Sequence, residues 1–309
     1  MTESAESTAI VPKPVVDADS APPKRIDPAV LAAQNYLPVT EIDPPKGWQL
    51  INARELWRYR ELLFFLAWRD VKVRYKQTAL GAAWAVIQPV MMMVVFNFVF
   101  ARMAKVSSGN VAYPVFSFAG LLPWTFFQTA VSSAANSVVG SERLITKIYF
   151  PRLAIPFAAV GAALVDFGIA LVALFVLMAW YHIMPTARMF MVLPLIALVT
   201  LAALGVGTLL AALTVAYRDF KYVLPFLMQV WLFATPTIYM DVSQTAGPRT
   251  HILMLLNPLV SIVSSFRAAM LGEPLPWRHL ALASVYCVAA MLIGCLYFRR
   301  VEDSFADVI

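Results

Sequence analysis

From residue 79 onward the chain is a succession of long apolar runs separated by short polar breaks. The runs cover 79–101, 113–137, 156–181, 190–215, 222–240 and 279–298. Each is close to the length of about 20 residues that a helix needs to cross a hydrocarbon layer. The pattern therefore predicts six transmembrane helices. The segment ahead of them has another texture. "ARELWRYRELLFFLAWRDVKVRYK" (53–76) contains neither Gly nor Pro, and its polar and apolar positions recur at helical steps. Arg54, Arg58, Glu61, Arg69, Lys72 and Lys76 form one stripe, and Leu56, Tyr59, Leu63, Leu66 and Val73 another. This predicts an amphipathic helix within 48–78, lying in the membrane interface. Between the last two runs, "HILMLLNPLVSIVSSFRAAMLGEPLPW" (251–277) is too apolar for water and too broken for a span. Asn257 reads as an N-cap, Pro258 as the first helical residue and Gly272 as the stop. Two short re-entrant or interfacial helices are expected within 241–278, in the outer leaflet. The fold class is all-α and polytopic.

One polar island interrupts this pattern. "SERLITKIYFPR" (141–152) carries Glu142, Arg143, Lys147 and Arg152, although 106–141 has no charge and 153–187 has only Asp166. The island is expected to be a short helix in a loop between spans 2 and 3. Ser141 would cap its start, Glu142 would suit its positive end, and Pro151 would stop it.

Composition agrees with the pattern. Hydrophobic residues make up 61% and charged residues 14% of the 309, and the mean hydropathy is +0.72, which excludes an ordinary soluble domain. A net charge of +6 points to an anionic leaflet facing positive-inside loops rather than to nucleic acid. Cytoplasmic termini place eighteen of the 24 Lys and Arg residues inside and six outside, so both ends are expected in the cytoplasm. Residues 1–47, rich in Pro, Ala, Asp and Lys, read as a disordered cytoplasmic tail without a signal peptide. Residues 79–300 form the transmembrane domain and 301–309 a cytoplasmic end. Cys287 and Cys295 stand eight positions apart in one run, about 12 Å along a helix and too far for a disulfide.

Candidate chemistry is sparse. His182, His251 and His279 are isolated at predicted membrane edges, and no P-loop or GxSxG elbow occurs. No catalytic or metal site is expected, which disfavours a membrane-embedded glycosyltransferase with paired carboxylates. Asp166 lies within a span. It is either functional or paired with an interfacial base or polar neighbour, and a secondary transporter would need more such groups. Phe96 and Phe100 in span 1, Trp124 and Phe127 in span 2, and Trp231, Phe233 and Tyr239 in span 5 face lipid, form an interfacial belt, or line a path on which sugar rings stack.

Five stretches taken together carry a resemblance: "RDVKVRYKQTALGAAWAVIQPV" (69–90), "LLPWTFFQ" (121–128), "LITKIYFPRLAIP" (144–156), "YRDFKYVLPFLMQVWLFATPTIY" (217–239) and "NPLVSIVSSFRAAMLG" (257–272). With the ending "VEDSFADVI", residues 50–309 resemble the membrane subunit of ABC-2-type polysaccharide exporters, the O-antigen, capsule and teichoic-acid permeases. The resemblance implies a half-transporter in the bacterial inner membrane. A second copy would complete the pore, and two separate ATP-binding subunits would hold the Mg-ATP. The cargo would be a glycan linked to undecaprenyl diphosphate. An ABC-2 exporter of a small hydrophobic molecule or lipid is the alternative. The family plan makes the island a coupling helix against the ATPase, through Ser141, Glu142, Arg143, Leu144, Ile145, Lys147, Ile148 and Tyr149, with Leu144, Ile145, Ile148 and Tyr149 as apolar knobs. Arg69, Lys72, Arg74 and Lys76, at headgroup level, would either attract the lipid diphosphate or only anchor the chain.

Overall fold

A computed structural model describes residues 53–76, 78, 80–103, 111–145, 150–235, 237, 256–302 and 305. All of them lie in one compact unit, Gly47–Ile309. The regular elements among them are helices. They are α1 (Ala53–Arg58), α2 (Arg60–Lys76), α3 (Trp84–Phe96), α4 (Tyr113–Ser137), α5 (Glu142–Ile145), α6 (Ala154–Trp180), α7 (Val192–Ala216), α8 (Phe220–Phe233), α9 (Pro258–Leu271) and α10 (Trp277–Val301). A 3-10 turn, Gly81–Ala83, leads into α3, and a π-helical segment, Asn97–Met103, follows it.

Four of these helical stretches are long and apolar enough to cross a membrane: Gly81–Phe100, Ala154–Trp180, Ala187–Ala216 and Trp277–Val301. Helix α4 is as long, at 25 residues, but more polar. Its hydroxyls return to its own backbone: Ser117 donates to Pro114 O (3.2 Å), Thr125 to Leu122 O (3.0 Å) and Ser137 to Ala134 O (2.7 Å). Such bonds let Ser and Thr sit in an apolar helix without unmet donors. The outer faces carry Met91, Val94, Val172, Val176, Val285 and Ile293, all exposed. So much apolar surface needs hydrocarbon around it. This is an all-α, multi-pass membrane protein.

Helix α4 is the hub, packed against α3, α6, α7, α8 and α9. Trp124, Phe118, Phe127, Leu121 and Leu122 are fully buried there. Helices α7 and α10 touch backbone to backbone, because Gly205 and Gly294 face each other with no side chain between them. Helix α8 has 14 residues, about 21 Å of rise, and so is shorter than the expected 222–240 span. Thr235 precedes Pro236, and a residue before proline is driven out of the helical region. Residues 238–255 lie outside the described set, and with them the first of the two expected re-entrant helices.

The second of that pair is α9, and its caps match the sequence reading. The Asn257 side chain accepts from Leu259 N–H (3.1 Å), Pro258 opens the helix, and Gly272 closes it in the left-handed region at φ 78. Asn257 also accepts from Trp231 Nε1 (3.2 Å) and donates to Thr235 Oγ1 (3.0 Å), tying the end of α8 to the start of α9. Asn257→Ala removes a cap and strands the indole N–H, an expected loss of about 2 kcal/mol. Thermal unfolding in detergent should show a clear drop for Asn257→Ala and a smaller one for Asn257→Asp. Equal midpoints for wild type and Asn257→Ala would contradict the network.

The helix expected within 48–78 breaks at Tyr59 into α1 and α2. One expected apolar stripe is also corrected: Leu66 is buried, but Val73 is 71% exposed. The reason is the course of α2, which runs alongside α6. Ala67 faces Gly161, and Arg74 reaches Asp166. Residue numbers rise together on both helices, so α2 climbs along α6 rather than lying across it.

Candidate functional site

The polar island is built as an extension of α4. After Ser137, Val138 keeps helical angles, the 3-10 turn Val139–Ser141 follows, and Glu142 continues at φ −45, ψ −48 into α5. Ser141 therefore does not cap a new helix. It closes the turn, donating its N–H to Val138 O (3.0 Å), and its side chain is buried. Residues 146–149, between α5 and Pro151, lie outside the described residues, and with them the expected stop at Pro151. The Pro151 carbonyl accepts from Ala154 N–H (2.9 Å) and so begins the turn into α6.

Glu142 and Arg143 are exposed at the tip, and Leu144 is half-buried. Ile145 is buried and acts as an anchor instead of a protruding knob. Lys147, Ile148 and Tyr149 lie outside the described residues. Beneath the tip is an apolar cluster separate from the α4 core. It joins Val138, Ile145, Phe150 and Leu153 to Val215 of α7, Phe298 of α10 and Phe305. Leu56, Leu62 and Val301 close its edge. The island, the start of α2, the end of α7 and the end of α10 therefore share one end of the protein.

A second polar centre lies midway along α6. Asp166 Oδ2 pairs with Arg74 Nη1, and Asp166 Oδ1 accepts from the Tyr75 hydroxyl. Arg74 Nη2 also reaches Ser133 Oγ on α4 at 3.5 Å. Burial, with the Asp166 hydrogen bond adding to it, holds the Tyr75 hydroxyl well above its ordinary pKa, so it remains a donor. The pairing left open for Asp166 is thus made, and its partner is one of the four cations expected at headgroup level. Of the others, Arg69 pairs with Asp70 (2.9 Å), Lys72 lies over the Trp68 ring (5.5 Å), and Lys76 is exposed at the end of α2.

The aromatic set divides. Trp124 and Phe127 are buried and meet Trp231 edge-on at 6.4 and 5.3 Å, so they hold helices of one chain together. Phe96 and Phe100 are half-buried and 5.9 Å apart, Phe233 is exposed, and Tyr239 lies outside the described residues. Sequence reasoning missed the buried Arg267, whose guanidinium sits 4.1 Å from the centre of the Phe116 ring. Only its place as the single charge within the expected re-entrant segment 257–272 could have marked it.

Residues 61–271 match the family model described as ABC-2 type transporter. The chain belongs to that family. Among curated ABC-2 relatives it is similar to the O-antigen export system permease protein RfbA of Myxococcus xanthus, at 33% identity over 83% of this chain and 98% of the relative. A second RfbA, from Klebsiella pneumoniae, is 25% identical over 81% of this chain and 95% of its own length. The polysialic acid transport protein KpsM of Escherichia coli is 24% identical over 76% and 92%. The ABC-2 match begins in α2 and ends on the last residue of α9, so it contains both the island and the Arg74–Asp166 centre.

Proposed function

We propose that the chain is the permease subunit of an ATP-driven exporter that moves a lipid-linked polysaccharide, of O-antigen, capsule or teichoic-acid type, across the bacterial inner membrane. The observation that carries this reading is the likeness, over nearly the full length of the relatives, to proteins named for O-antigen and polysialic acid transport. The site geometry fits the same role. A charged tip fused to the hub helix α4 can receive a push from a soluble partner and pass it into the bundle. Two copies of the chain would enclose the path, two ATP-binding subunits would hold the Mg-ATP, and the end shared by the island, the start of α2, the end of α7 and the end of α10 would face the cytoplasm.

The lipid diphosphate would meet Lys72 and Lys76, which are exposed, and then Arg69, which is half-buried and already paired with Asp70. Arg74 contributes less to that task, because Asp166 neutralises it. Sugar rings would stack on Phe96, Phe100, Trp231, Phe233 and Tyr239, while Trp124 and Phe127 serve packing in this conformation. Two experiments test the reading. Deleting the gene should remove a surface polysaccharide, and the chain should co-purify with an ABC ATPase. Glu142→Lys and Arg143→Glu, both at exposed positions, should leave insertion unchanged and lower export by about tenfold through lost docking energy. Normal export by both variants would refute the coupling assignment.

A further inference from the structure

Arg74 holds both helices that the island connects. Its guanidinium pairs with Asp166 on α6 and reaches Ser133 on α4, and the island is the link between those two helices. Tyr75 fills the other oxygen of the same carboxylate. About two turns further back, Ala67 faces Gly161 so closely that a Cβ on Gly161 would lie 3.6 Å from the Ala67 Cβ. The opposite face of α2 presents Phe64, Phe65 and Trp68 outward, exposed among the described residues. Helix α2 is therefore fastened along one edge and bare along the other.

We propose that Arg74 and Asp166 are positioning residues that make α2 move as one body with α4 and α6, so that displacement of the island is delivered to α2, where cargo first meets the protein. The proposal rests on the export reading above. Its physical basis is the cost of opening the pair. Separating Arg74 from Asp166 would leave a charge in a setting of low dielectric, whereas sliding α2 together with α6 costs nothing at the pair. Neither residue needs to touch cargo. They fix where the exposed cations Lys72 and Lys76 stand relative to the pore helices.

The test uses the full chain with its ATPase in nanodiscs and in cells, with Cys287 and Cys295 replaced by Ala. Ala67→Cys with Gly161→Cys places two Cβ atoms at a separation suited to a disulfide, about 3.5–4.5 Å. If α2 travels with α6, the oxidised pair exports as the reduced pair does, and its rate of oxidation is the same with and without Mg-ATP. Arg74→Gln should lower polysaccharide exported per ATP hydrolysed by about tenfold, and the disulfide should restore it. Because Arg74→Gln leaves a lone carboxylate, Arg74→Gln combined with Asp166→Asn is the second variant, with the same expected loss and the same rescue. A merely structural role would lower assembly and ATPase activity together and leave the ratio unmoved.

Export blocked by the disulfide, or an oxidation rate that changes with Mg-ATP, would overturn the proposal by showing that α2 slides on α6. Normal coupling in the double variant would overturn it too. Failure of the export reading has a different signature: the unmodified chain itself would not restore a surface polysaccharide, while the oxidation rates would still report whether α2 and α6 move together.

Discussion

Gly294→Ala is expected to unfold the α7–α10 pair. The added methyl would fall on the carbonyl oxygen of Gly205, which is backbone and cannot turn aside. The reciprocal change fails for the same reason: a Cβ on Gly205 would lie 2.5 Å from Met291 N and 2.6 Å from Ala290 C. The helices can only part, and parting them opens their whole contact. Overpacking of this kind costs about 3 kcal/mol or more where neither side can yield. Gly168→Ala is the control, because its Cβ would meet nothing within 4 Å. That variant should be neutral or gain up to about 1 kcal/mol in helix propensity. Heating the detergent-solubilised proteins and following the folded fraction by gel filtration separates them. Similar midpoints for Gly294→Ala and Gly168→Ala would refute the crossing.

Phe305→Ala should act just beyond the C-terminal end of α10. The ring is fully buried and meets Phe298 edge-on at 5.1 Å and 83°. Truncating a buried Phe costs about 3–5 kcal/mol. Here the loss falls on the small cluster under the island, which is separate from the α4 core. Local opening can therefore absorb it without global unfolding. The expected result is faster hydrogen exchange across Val138–Ile145, a nearly unchanged main melting transition, and reduced ATP-driven export. Phe305→Leu, which keeps most of the apolar volume, should lie close to wild type. Unchanged exchange in Phe305→Ala would mean that the ring does not brace the island.

Much of this was legible because single helices advertise themselves. The apolar runs at 156–181, 190–215 and 279–298 appear as α6, α7 and α10 with ends shifted by a few residues. The caps of α9 were readable because Asn257, Pro258 and Gly272 act on their own helix. The reading of Ser141 as a cap failed although the residue type was right. Capping requires a non-helical residue at the start, and Ser141 is the last residue of the 3-10 turn that leads from α4 into α5. Val73 was misplaced because helical periodicity gives a face but not the neighbour that covers it.

The sequence by itself determined the class: helices of membrane length, a basic amphipathic lead-in, one polar island and one buried acid. These follow from backbone satisfaction in hydrocarbon and from local capping chemistry, which depend only on neighbours along the chain. The tertiary structure alone decided that Asp166 belongs to Arg74 and Tyr75, that Gly205 lies on Gly294, and that Phe305 braces the island. Those pairs are 92, 91, 89 and more than 150 residues apart. The pattern of a single chain carries no signal at that range, because which helix faces meet is set by packing and not by propensity.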